Sequence, residues 1–88
     1  MRLTVNRDNA LWRIVDGEAV LISAATSFYY SLNRTGTLAW NLLADGALTH
    51  DDIVRRGAAH YGVDPAAVRD DVGALLDHLR AEDLIAEE

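Results

Sequence analysis

Apolar residues follow two rhythms along this chain, first a period of two and then one of 3.6. Leu11 to Val15 and Glu18 to Ala24 are rich in Val, Ile and Leu, with Asp16-Gly17 between them. Asp-Gly in that place predicts a hairpin, because a type I′ turn needs positive φ at both central residues. Leu3 to Val5 can add a short strand ahead of it. After Ala25-Thr26-Ser27, the run Phe28-Tyr29-Tyr30-Ser31-Leu32 alternates, which puts Phe28, Tyr30 and Leu32 on one face and Tyr29 and Ser31 on the other. It reads as the third strand of a small antiparallel meander.

From Asn33 the period becomes helical. Asn33 is a candidate N-cap, and Leu38, Ala39, Leu42 and Leu43 recur on one side until Asp45-Gly46. Thr49 caps a second helix in which Ile53, Val54, Ala58 and Tyr61 share a face. Gly57 is read there as a point of close approach, and Gly62 as the left-handed terminator. The third helix has the clearest start: Asp64 caps, Pro65 takes the first helical position, and Val63 is placed to pack on Val68 as a hydrophobic staple. Val68, Val72, Leu75, Leu76 and Leu79 then form one stripe about a third of the circumference wide. Leu84-Ile85 reads as a tail packing back on the bundle. The expected order is three strands followed by three helices, with residues 1–88 as one domain and no repeat or linker.

Composition narrows the function. A chain of 88 residues, half of them apolar and a quarter charged, has material for one core. Cysteine is absent, which removes disulfides, thiolate zinc sites and thiol chemistry. Eight basic residues, all arginine, stand against 14 acidic ones, for a net charge of −6. That balance disfavours nucleic acid, which is held through neutralised phosphates. No apolar run approaches the ~20 residues that span a bilayer, and Met1 to Asn9 lacks a signal-peptide core. A cytoplasmic location with no membrane partner is expected.

Candidate catalytic groups are few. His50, His60 and His78 stand on different turns or helices without a paired ligand at metal spacing, and read as surface histidines. Ser23, Ser27 and Ser31 lack a nucleophile elbow, and no phosphate loop occurs. Trp40 reads as core. Asp51-Asp52 reads as the acidic first turn of a helix, whereas Asp71 flanks the apolar stripe of the third helix opposite Arg69 and is placed to meet a basic group at its margin.

The string Tyr29-Tyr30-Ser31-Leu32-Asn33-Arg34-Thr35-Gly36, followed by Ala39-Trp40-Asn41-Leu42-Leu43, resembles the pattern of the PqqD-like family, also called RiPP recognition elements. Tyr61-Gly62-Val63-Asp64, Asp71-Val72, Leu75-Leu76, Leu79 and Leu84-Ile85 continue the likeness, so roughly Glu18 to Ile85 is covered. The departure is Ala25-Thr26-Ser27, where relatives usually carry a glycine turn. The resemblance implies an α+β fold, a three-stranded antiparallel sheet followed by a three-helix winged-helix-like unit. It implies a non-enzymatic protein without cofactor or metal that binds the leader of a ribosomally synthesised precursor peptide by strand addition. The partner enzyme would be a modifying enzyme or a leader peptidase, with the lasso-peptide group nearest in its Tyr-Tyr-x-Leu-Asn-x-x-Gly run. The peptide-binding edge would then be Thr26, Ser27, Phe28, Tyr29, Tyr30, Ser31 and Leu32. The groove wall would come from Val68, Asp71, Val72, Leu75 and His78, with Leu76 turned toward the other helices.

Two other functions share this order of elements. One is a winged-helix DNA-binding regulator, against which Asp70, Asp71 and Asp77 on the third helix weigh. The other is a homodimerisation module that uses the exposed strand edge and its aromatics.

Overall fold

The computed structural model describes residues 1–88. Asp16 and Gly17 both take positive φ, 52° and 80°, and join β2 (Ala10–Val15) to β3 (Glu18–Ser23) in the expected hairpin. A third strand, β4 (Tyr29–Ser31), pairs antiparallel with β3, so the sheet order is β2-β3-β4. The turn into β4 contains no glycine, and Ser27 itself adopts the left-handed φ of 62° that a glycine takes freely. This backbone reversal shortens the third strand. Phe28 shares parity with Tyr30 and Leu32 but lies just outside β4 and is 64% exposed, not inward as alternation alone predicts.

Leu3–Val5 does form a strand, β1, yet it does not join the meander. It pairs antiparallel with β5 (Ile85–Glu87), in the segment expected to be a mere tail. Leu3 and Val5 on one strand and Ile85 on the other are buried, so this second, two-stranded sheet closes one side of the core.

The three helices are α1 (Arg34–Asp45), α2 (His50–Tyr61) and α3 (Pro65–Ala81). Each starts at the expected cap: Asn33 Oδ1 accepts from Gly36 N–H, Asp64 Oδ1 from Ala66 N–H, and Thr49 with Asp52 forms a reciprocal capping box. Asp52 is held below the usual carboxylate range by hydrogen bonding to Thr49 and then to Arg55. Asp51 is lowered by Arg69, whose guanidinium reaches it at 2.8 Å and ties α2 to α3. Both lowered carboxyls add stability above the unfolded value near 3.9 that is lost as pH falls. Gly62 ends α2 in the left-handed region, and Val63 after it is 43% exposed.

Trp40 is fully buried at the centre and meets Trp12 edge-on, with ring centroids 5.4 Å apart. Leu21, Leu43, Ile53, Val54, Leu79 and Leu84 pack around it. Thr37 joins helix to sheet: its hydroxyl accepts Ala19 N–H at 2.8 Å and donates to Leu32 O at 3.3 Å. His50 is not a plain surface histidine. It is half-buried, its ring lies against Gly73 of α3, and Nε2 is out of water without a partner. His60 is exposed beside Tyr61, which is itself more solvent-facing than its helical position suggested. No helix is long and apolar enough to cross a membrane.

Gly57 departs from its expected role. A Cβ there would meet nothing within 4 Å, so no neighbouring backbone requires the glycine. Gly57→Ala should therefore raise stability by about 0.5–1 kcal/mol through helix propensity. Leu76, 3% exposed and in the main cluster, should behave oppositely. Leu76→Ala should lower stability by about 2–5 kcal/mol through the cavity it leaves. Chemical denaturation of the two variants checks both signs.

Candidate peptide-binding edge and groove

An antiparallel strand directs alternate residues' N–H and C=O groups to opposite sides. Ser23 N–H donates to Phe28 O at 3.0 Å and Leu32 N–H to Ala19 O at 2.9 Å, while Tyr30 stands opposite Leu21 in the register. The hydrogen-bonded partners of β3 are therefore Phe28, Tyr30 and Leu32. Tyr29 and Ser31, between them, turn their N–H and C=O groups away from the sheet. Because β4 is an edge, those groups are free for another strand.

Alongside this edge runs an open groove of about 510 Å³. Ser31 and Leu32 form one wall, Asp71, Val72, Leu75 and His78 of α3 the other, and Thr35 and Gly36 at the start of α1 close one end. The spacing of the α3 residues, 71, 75 and 78, is that of one helical face. A Cβ at Gly36 would stand 3.3 Å from both Asn33 Oδ1 and Leu32 Cβ, so the tight contacts are with the turn that starts α1, while Leu75 Cδ2 at 3.5 Å is at ordinary contact distance. At the opposite end Tyr30 bridges the walls. Its ring meets His78 edge-on at 5.8 Å, and its hydroxyl donates to Glu82 Oε2 at 2.7 Å.

Of the sequence-derived site residues, Tyr29 to Leu32 lie on or directly beside the edge, and Asp71, Val72, Leu75 and His78 face it across the groove. Thr26, Ser27 and Phe28 belong to the preceding turn, where Thr26 Oγ1 accepts Phe28 N–H. Val68 lies elsewhere, in an apolar notch with Leu38, Leu42, Gly57 and Tyr61 between the helices. Val72, one turn further on, lines both this notch and the groove, so the notch begins where the groove ends along α3. Sequence reasoning missed Asn33, Thr35, Gly36 and Ala74 as lining residues. Ala74 was findable, three residues after Asp71 on the same helical face, but the approach of the α1 start depends on tertiary packing.

The sheet's outer face is also apolar. Leu11, Val15, Val20, Ile22 and Tyr29 surround Arg13 over a shallow hollow of about 340 Å³, and Tyr29 is 72% exposed. An antiparallel sheet with one free face ordinarily makes that face polar.

Hydrogen bonding to the Glu82 carboxylate, then burial, raises the Tyr30 phenol above its ordinary value of 10.0. The bond requires the protonated phenol, so its contribution to stability is full below the unfolded value and lost as pH rises through the folded one. In an ultraviolet titration, Glu82→Gln should shift one of the three tyrosines back toward the ordinary range. Three unchanged tyrosines would show that this bridge is not formed.

Comparisons with known proteins fit this geometry. Residues 18–85 match the family model of coenzyme PQQ synthesis protein D (PqqD). The whole fold is similar to that of TbiB1 in complex with the TbiA(beta) leader peptide, at 28% sequence identity and a TM-score of 0.84, covering 97% of this chain and 96% of that one. It also shares the fold of lasso peptide synthetase B1 complexed with the leader peptide, at 22% identity and a TM-score of 0.78, over 97% and 98% of the two chains. No curated protein matches.

Proposed function

Because this chain belongs to the PqqD family, we propose that it binds the leader segment of a ribosomally synthesised precursor peptide as a strand added to β4, and presents it to an enzyme of lasso-peptide biosynthesis. The observation that carries this reading is the pair of outward-facing residues, Tyr29 and Ser31, on an edge that borders an open groove with Leu32, Val72 and Leu75 in its walls. Main-chain bonds to the edge give affinity with little dependence on sequence. Alternate side chains of the peptide enter the groove between Leu32 and Val72–Leu75 and give selectivity. TbiB1, 28% identical over nearly the whole chain, is itself seen with a leader peptide.

The chain acts as a carrier, with the chemistry left to a modifying enzyme or leader peptidase. Its apolar outer face supports that part of the reading. A strand added at β4 would place its other alternate side chains beside Tyr29 on this face, so an enzyme docking there would meet protein and peptide together. Asp71 is exposed at the groove rim and gives it a negative charge suited to a basic peptide residue.

A synthetic leader peptide from the precursor encoded beside this gene should bind the isolated protein in calorimetry with a micromolar or lower Kd, about −8 kcal/mol. Binding of duplex DNA with no peptide binding would overturn the proposal. Tyr29→Pro and Ser31→Pro should each fold, since neither N–H belongs to the native ladder, and each should abolish peptide binding. If both bind normally, the peptide does not add to β4.

Asp71→Ala should weaken binding by about 1–3 kcal/mol if the contact is charge-assisted. Its melting temperature should change little, because the side chain is exposed. Unchanged affinity would remove Asp71 from the site.

A further inference from the structure

The two walls of the groove belong to separate parts of the chain, and a single buried side chain outside the groove is hydrogen-bonded to the segments that adjoin both. Asn9, 8% exposed, lies just before β2. Its Oδ1 accepts Ala25 N–H at 2.9 Å and the Ser23 hydroxyl at 3.4 Å, and its backbone carbonyl accepts Ala24 N–H at 2.7 Å. These bonds hold the turn that leads into β4. Its Nδ2 donates to Asp83 O at 3.0 Å and reaches Glu82 O at 3.5 Å, which holds the end of α3. Glu82 is the residue that receives the Tyr30 hydroxyl.

Both segments that Asn9 grips contain a non-glycine residue in the left-handed region, Ser27 at φ 62° and Asp83 at φ 59°. Such backbone persists where its surroundings over-determine it. The strand β4 is only three residues long and pairs with β3 over three positions, so its placement depends on what holds its ends. Thr37 holds the Leu32 end, through the hydroxyl it donates to Leu32 O. Asn9 holds the other, two residues before the turn residue Ser27 and four before Tyr29.

We propose that Asn9 is a positioning residue for peptide binding: it fixes the start of the β4 edge relative to the end of α3, so that the groove is formed before the peptide arrives. The inference rests on the strand-addition reading above. A preformed edge lets the peptide bind without the cost of ordering the turn at the same time. Asn9 touches no groove residue directly. Its effect passes through the turn at Ala24 and Ala25 and through Glu82.

The test compares Asn9→Ala with Val54→Ala, a core truncation in α2 away from the groove. The probe is the synthetic leader peptide, titrated at a temperature where melting curves show both variants fully folded. Asn9→Ala should weaken binding at least tenfold, and amide exchange at Tyr30 and Leu32, whose N–H groups face β3, should quicken relative to Ile22, whose N–H faces β2. Val54→Ala should keep the parent's affinity.

Asn9→Asp retains the acceptor for Ala25 N–H but loses the donor to Asp83 O, and should fall between parent and Asn9→Ala. It also supplies the answer should the alanine variant fail to fold. Parent-like affinity in the folded Asn9 variants, or equal loss in Val54→Ala, would overturn the positioning role. Failure of the parent itself to bind would instead sink the strand-addition reading.

Discussion

An antiparallel strand can bond to a neighbour with only half of its backbone polar groups on each side, and β4 has a neighbour on one side alone. The proposed binding surface depends on that constraint. The Phe28 carbonyl accepts from β3, and Tyr30 and Leu32 direct their peptide groups to it, which leaves those of Tyr29 and Ser31 directed outward. Side-chain parity follows the same alternation. Tyr30 and Leu32 therefore turn toward α3 and the core, and Tyr29 and Ser31 lie on the outer face. A strand in this place offers hydrogen bonds along its edge, one wall of a groove beneath and an aromatic on top, all from five consecutive residues.

The helices turn this edge into a site. The start of α1 closes one end of the groove beside Leu75, and the far end is spanned by Tyr30 and Glu82. Between these ends α3 presents one face to the groove while Leu76 and Leu79 on its other side enter the core around Trp40. The width of the apolar stripe on α3 follows from this division of labour. A helix that only packed inward would need fewer apolar positions than Val72, Leu75, Leu76 and Leu79 together supply.

What could be read in the sequence was local. Asp16-Gly17, Asn33, Thr49, Gly62 and Asp64-Pro65 each satisfy a backbone need within a few residues, and each marks an element end in the structure. The groove residues Asp71, Val72, Leu75 and His78 were legible for the same reason, as one face of one helix. The pairing of β1 with β5 was not, because Val5 and Ile85 meet only after the whole chain between them has folded. Phe28 was misjudged because alternation assumes an extended backbone, and Ser27 reverses it one residue earlier. Val68 and Gly57 share an error: both sit where three helices meet, and no helical period says which neighbour each will face. The side chain of Asn9 acts on segments far along the chain, and one asparagine before a strand carries no local pattern that reveals it.

The β1–β5 ladder has a topological consequence. Arg2 O accepts the amide of Glu88 at 2.9 Å, and Leu3 stands opposite Glu87, so the backbone here is a ring left open at one point. Because that opening lies between paired strands, a short linker can close it and a new opening can be cut at an exposed turn such as Asp16-Gly17. Such a circular permutant would contain every groove residue in the same spatial order, while its new ends would emerge from the tip of the hairpin. The site thus depends on the spatial arrangement of strands and helices, and the order in which the chain visits them is a separate variable that can be altered for tethering or fusion.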